Sequence, residues 1–103
     1  MISGLIGLFK KQPTVNYAAM VQEGAQIVDV RTPQEFGFGH IEGSKNIPLQ
    51  TLQSSLIRLD KKKVIITCCA SGVRSANARK VLLANGFEHV YNGGGWLGLD
   101  SKL

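Results

Sequence analysis

Residues 64–75 read Val64-Ile65-Ile66-Thr67-Cys68-Cys69-Ala70-Ser71-Gly72-Val73-Arg74-Ser75, and the fold turns on how that stretch divides. Val64 to Cys68 is apolar without alternation, the pattern of a strand covered on both faces in the middle of a parallel sheet. From Arg74 to Asn85 the spacing predicts a helix with Ala78, Val81 and Leu82 on one face and Gly86 as its stop. Between them, Cys69 to Val73 is too short for anything but a turn. The stretch is therefore strand, turn, helix, the unit from which parallel sheets are built.

Working outward, the same alternation continues. Thr14 to Glu23 reads as a helix opened by Pro13-Thr14 and closed by Gly24, and Ile27-Val28-Asp29-Val30 as a buried strand. Pro33 to Phe38 has room for one or two helical turns, and Lys45 to Ile47 for a brief strand stopped by Pro48. Leu49, Leu52, Leu56 and Leu59 fall at steps of three and four, an amphipathic helix with Arg58 near its end. His89-Val90-Tyr91 is a last short strand before Asn92-Gly93-Gly94-Gly95 and a segment around Trp96. The expectation is one α/β domain over residues 1–103. It has three layers, with a mostly parallel central sheet of about four to five strands and helices on both faces.

Composition narrows the function classes. A chain of 103 residues with 44% hydrophobic and 18% charged side chains can bury a core of its own, which excludes a disordered chain. Cys68 and Cys69 are neighbours and cannot clip distant segments together, which excludes a disulfide scaffold and points to a reducing, cytoplasmic setting. The formal charge of +5 lies wholly in residues 52–103, since Lys10, Lys11, Arg31 and Lys45 cancel Glu23, Asp29, Glu35 and Glu42 in the first half. No basic stripe with interleaved aromatics accompanies it, and Lys61-Lys62-Lys63 reads as a solvated loop, so no nucleic-acid partner is expected.

The apolar run Ile2 to Phe9 meets Lys10-Lys11 where a secretory leader would have a small-residue cleavage site, and it is far shorter than the ~20 residues of a membrane span. A packed or frayed segment over residues 1–12 is expected, with no membrane partner. Ser101-Lys102-Leu103 matches a peroxisomal address, which has meaning only in a eukaryote; a chance tripeptide is the expectation. A monomer is expected, with a dimer open to it.

The loop between strand and helix is where chemistry is expected, because ligands of open parallel sheets bind beyond the carboxyl ends of the strands. Residues 70–74 can curl so that successive N–H groups point inward, Gly72 permitting the backbone angle this demands. Arg74 is expected to close the ring with its fork of donors. A thiol at Cys69 would then lose its proton readily and act as a nucleophile, and the same donors would hold an anionic substrate. Outside this context Cys69 would read as a buried structural cysteine, the role expected of Cys68.

Four stretches extend the pattern: Asp29-Val30-Arg31-Thr32-Pro33-Gln34-Glu35-Phe36, Gly39-His40-Ile41-Glu42-Gly43-Ser44-Lys45-Asn46-Ile47-Pro48, Cys69 to Ser75, and the glycines before Trp96. In their order and spacing they resemble the signatures of the rhodanese (sulfurtransferase) domain family, single-domain type, over about residues 14–99. The resemblance implies that Cys69 attacks the outer sulfur of a sulfane donor such as thiosulfate or a persulfide. Cys69 then becomes a persulfide and passes that sulfur to cyanide or a thiol, including a protein thiol such as that of thioredoxin. Ala70, Ser71, Gly72, Val73 and Arg74 would bind the donor, and neither metal nor organic cofactor is implied. The six residues from Cys69 to Arg74 resemble the sulfur-transferring members, while phosphatase and arsenate-reducing relatives generally have a longer loop. Thiosulfate-preferring members often carry basic residues where this chain has Ala70 and Ser71, which implies weak thiosulfate binding. A non-enzymatic persulfide carrier or redox-interaction module, and an arsenate reductase or phosphatase on the same scaffold, are the alternatives.

Asp29, Arg31, His40 and Ser75 are expected in support. Asp29 and Arg31 either touch substrate or, as the expected reading, brace loops as a charged pair. His40 is a structural fixture in the family pattern, since an ionised thiol needs no base. Ser71 and Ser75 each have two uses open to them, donation to a bound anion and capping of the helix. No metal site is expected from two isolated histidines, His40 and His89.

Overall fold

A computed structural model describes residues 15–103. The expected helix opening at Pro13-Thr14 and the expected N-terminal segment 1–12 lie outside the described residues. The chain runs α1 (Tyr17–Gln22), β1 (Gln26–Asp29), α2 (Pro33–Phe38), β2 (Lys45–Asn46), α3 (Leu49–Leu52), a 3-10 helix (Gln53–Arg58), β3 (Ile65–Cys69), α4 (Val73–Ala84), β4 (Val90–Gly95) and α5 (Trp96–Asp100). The strands form one four-stranded sheet in the order β2-β1-β3-β4, every neighbouring pair parallel.

Strand β3 lies inside the sheet, and all five of its residues are buried. Its side chains alternate between two cores. Ile65 and Cys69 join Val28, Val30, Leu52, Ala78 and Leu82 on the face covered by α3 and α4. Ile66 and Cys68 join Ile27, Ile41 and Leu99 on the other, under Tyr17, Met20 and Trp96. Both faces being apolar is why the run does not alternate. Removing Ile65 and Ile66 from water stabilises the fold by about 1.5–3 kcal/mol each.

Local chemistry sets the helix ends. Asn16 caps α1 by accepting from Ala19 N–H at 3.0 Å. Thr32 and Glu35 cap α2 reciprocally, with Pro33 in its first turn. Buried Ser75, Ala78 and Leu82 recur along α4 at three and four residues, so one face turns to the sheet.

Two expectations are corrected. The helix expected over Leu49 to Leu59 is a single α turn followed by 3-10 helix. Thr51 Oγ1 donates to Pro48 O at 3.2 Å and Ser54 Oγ to Thr51 O at 3.1 Å, so hydroxyls occupy carbonyls that α-helical N–H groups would take. The last strand, expected to end at Tyr91, runs on through the glycines to Gly95. Its register against β3 slips between Thr67↔Asn92 and Cys69↔Gly95. Gly95 has to be glycine: a Cβ there would sit 2.8 Å from Ala70 O, in the backbone of the loop that follows β3.

Candidate functional site

Strand β3 ends on Cys69, and the chain then reverses within Ala70-Ser71-Gly72 into α4. Gly72 makes the reversal at φ +103°, a left-handed conformation that favours glycine, and so serves as the N-cap of α4. The helix begins at Val73, one residue earlier than the spacing predicts. The reversal turns backbone donors onto the sulfur. Gly72 N–H lies 3.0 Å from Cys69 Sγ and Ser75 N–H lies 3.4 Å from it. Ser75 Oγ is a further 3.4 Å neighbour.

Cys69 is 0% exposed, yet it is held as an anion site. Burial pushes the thiol up; the Ser75 hydroxyl and the N–H groups of Ser75, Gly72 and Ser71 outweigh it, leaving Cys69 below the ordinary thiol value. The α4 N-terminus adds its positive dipole end, with no acidic residue in the first turn to offset it. Its neighbour differs completely. Cys68 faces the opposite core, and burial, with the Asp29 carboxylate nearby, pushes its thiol up to about 12. Both thiols are free.

Ser75 is joined behind the sulfur by Asn92, the residue that the sequence reading missed. Ser75 Oγ donates to Asn92 Oδ1 at 2.6 Å, the same oxygen accepts from Gly94 N–H at 2.9 Å, and Asn92 Nδ2 donates to Gly72 O at 3.2 Å. The Gly94 donor fixes which end of the amide faces Ser75. A serine hydroxyl has one proton, so Asn92 and an ionised Cys69 compete for it. The available signal was a lone polar residue between a strand and a glycine run.

Arg74, expected to close the ring, directs its terminal nitrogens to Glu35. Its Nη1 and Nη2 donate to Glu35 Oε1 and Oε2 at 2.7 and 2.9 Å, a bidentate pair with both side chains about one-third exposed. The hydrogen bond from Arg74 holds the Glu35 carboxyl well below the usual range, at about 2. Ala70, Ser71 and Val73 are exposed and Gly72 half-buried.

Asp29 and Arg31 are buried together. Arg31 Nη2 donates to Asp29 Oδ2 at 2.7 Å and Nε to Asp29 Oδ1 at 2.9 Å. The guanidinium also reaches Gly39 O at 2.7 Å and Glu35 O at 3.3 Å, and lies 4.8 Å over the Trp96 ring. Each of its nitrogens is engaged, so this pair ties β1 to both ends of α2. His40 is exposed; its Nδ1 lies 2.8 Å from Phe36 O and its ring stacks on Phe36 at 3.7 Å. His89 is exposed beside Glu88. Among the described residues no group of three or more His, Cys, Asp or Glu could hold a metal ion, and no helix is long and apolar enough to cross a membrane.

Comparison with known proteins places this geometry in context. The model of a family described as "Rhodanese-like domain" matches residues 14–101. The "Thiosulfate sulfurtransferase GlpE" of Stutzerimonas stutzeri (strain A1501) is 36% identical over 84 residues, which is 82% of this chain and 77% of that protein. The "Uncharacterized protein YqhL" of Bacillus subtilis (strain 168) is 41% identical over 68 residues, 66% of this chain; the match spans about half of that protein, 54%. A solved "rhodanese with anions from E. coli" superposes with a TM-score of 0.69 at 30% identity, covering 73% of this chain and 91% of that one. A rhodanese-like domain protein from Staphylococcus aureus superposes with a TM-score of 0.67 at 35% identity, covering 89% and 79%.

Proposed function

The chain belongs to the rhodanese-like domain family, and from that premise we propose that it is a sulfurtransferase working through a persulfide on Cys69. The observation that carries this reading is the convergence of the Gly72 and Ser75 N–H groups, with the Ser75 hydroxyl, on one sulfur. Backbone donors that favour the thiolate supply a nucleophile at neutral pH without a base. The thiolate attacks the outer sulfur of a sulfane donor, the donor's S–S bond breaks, and the remainder leaves with the electron pair. The new persulfide carries its charge beside the same preorganised donors. An acceptor thiolate, or cyanide, then attacks the outer sulfur and releases Cys69 as the thiolate. The residues 70–74 bind the donor through their backbone, in a reducing cytoplasmic setting, and the acceptor is a small or protein thiol.

Mass measurement of the intact protein tests this. Incubation with a sulfane donor adds one sulfur atom to the wild type and to Cys68→Ser, and none to Cys69→Ser. Sulfur appearing on Cys68, or on neither cysteine, would overturn it. A second reading, a persulfide carrier that turns over poorly with small donors, draws support from the complete burial of Cys69 and from the pairing of Arg74 with Glu35. Rapid loading from a protein persulfide beside slow cyanide turnover would select it.

A further inference from the structure

The guanidiniums of Arg31 and Arg74 are each paired with a carboxylate. Arg31 is spent on Asp29, Gly39 and Glu35 backbone, and is only 4% exposed. Arg74 is gripped by both oxygens of Glu35, and that carboxylate is itself anchored. Glu35 Oε1 accepts from Thr32 N–H at 2.9 Å, while Glu35 N–H donates to Thr32 Oγ1 at 3.2 Å. The acid is therefore pinned to the first turn of α2 and offers a fixed fork to the arginine. Arg74 gives up two charge-assisted bonds if it turns to a ligand, and leaves a carboxylate facing that ligand's negative charge.

Apart from Arg74, the loop residues 70–75 carry no charged side chain. Ala70, Ser71 and Val73 line the loop, Val73 being 69% exposed, and the groups on Sγ are N–H and O–H dipoles. Such dipoles, with roughly half a charge at a helix N-terminus, suit one negative charge. Bringing a dianion against an ionised thiol needs a free cation as well.

We propose that Glu35 is the specificity-determining residue: by occupying Arg74 it makes the site favour hydropersulfide donors, R–S–SH, over dianions such as thiosulfate. This rests on the sulfur-transfer reading above. In the favoured step the Cys69 thiolate attacks the terminal sulfur of R–S–SH. A Sγ–S bond forms as the donor S–S bond breaks, the transferred sulfur keeps its proton, and R–S⁻ departs with the electron pair. No outside oxidant or reductant enters.

Glu35→Gln is the discriminating change, because glutamine keeps the acceptor for Thr32 N–H and so preserves the α2 cap. Rates of sulfur addition to Cys69 are measured by mass with thiosulfate and with an alkyl hydropersulfide. The expected result is a rise of about tenfold or more in the thiosulfate-to-hydropersulfide ratio of kcat/KM, abolished when Arg74→Ala is added. An unchanged ratio overturns the proposal. A second measurement needs no turnover: inorganic sulfate should slow alkylation of Cys69 by a neutral reagent in Glu35→Gln at concentrations that leave the wild type unaffected. Equal protection of both proteins overturns the charge mask. Failure of both donors to load the wild type overturns the sulfur-transfer reading instead, and the sulfate measurement still decides what Glu35 does.

Discussion

Cys68 and Cys69 are consecutive, equally inaccessible to solvent, and opposite in chemistry. One peptide step along β3 turns them to different faces of the sheet, Cys68 towards Ile27, Ile41, Ile66 and Leu99, Cys69 towards the start of α4. Burial alone would silence both thiols. For Cys68 it does, aided by the Asp29 carboxylate, and its thiol is pushed up to about 12. For Cys69 three N–H groups and a hydroxyl overrule it. Reactivity here is decided by which donors the next turn of chain aims at a sulfur, not by how much water reaches it.

The largest test of that contrast is alkaline stability. The Cys68 thiol is raised on folding, so its protonated state favours the native fold below the ordinary thiol value. That stability is lost as pH climbs towards the folded value, between pH 9 and about 12. Cys68→Ala should remove a loss of about 1.4 kcal/mol per pH unit across that window, read from denaturant midpoints. The sign for Cys69 is reversed: its depressed thiol adds stability above the unfolded value and loses it as pH falls through the folded one. If Cys69→Ala, and not Cys68→Ala, flattened the alkaline slope, the two assignments would be exchanged.

The second test breaks the donor side. Gly95→Ala places a Cβ 2.8 Å from Ala70 O, so the loop has to move away from β4. Overpacking of this kind costs about 1–3 kcal/mol. Thermal denaturation should show it, together with slower alkylation of Cys69 and an untouched Cys68. Unchanged stability and reactivity would mean that β4 does not hold the loop.

Ser75→Ala probes a single donor. The hydroxyl bond favours the ionised thiol, so its removal raises the Cys69 thiol and slows alkylation at neutral pH by about tenfold, with the pH profile displaced upward. A profile that stayed in place would assign the whole effect to the backbone. The Asn92 contact bears on the size of the change, since Asn92 Oδ1 competes for the same proton at 2.6 Å.

The contrast also marks what one sequence discloses. Strand β3 was legible because a run such as Val64 to Cys68 has few physical solutions, and Gly72 because a reversal between strand and helix demands a residue free to turn. The parallel sheet followed from alternation alone. What escaped depends on partners brought together by folding. Asn92 and Ser75 are seventeen positions apart, and Glu35 and Arg74 thirty-nine. The extension of β4 escaped for another reason, because glycines weaken a strand pattern and only the folded neighbours, Leu99 and Ile66 at Gly93 and Ala70 at Gly95, call for them. The 3-10 turn was hidden in hydroxyls competing for carbonyls, which apolar periodicity does not register.

Arg74→Ala should have the smallest effect on the Cys69 thiol. Arg74 is a cation within the active loop, and a reading of the loop by charge makes it the reason for ionisation. The side chain instead directs both terminal nitrogens to Glu35, and the groups that lower the thiol most are Ser75, Gly72 and Ser71. With its charge matched by a carboxylate, the pair acts on the sulfur as a dipole in a one-third-exposed setting, where solvent screens it further. The pH profile of alkylation in Arg74→Ala should therefore move less than in Ser75→Ala. A displacement equal to or larger than that of Ser75→Ala would return the guanidinium to the ring and remove the distinction between backbone and side-chain control of this thiol.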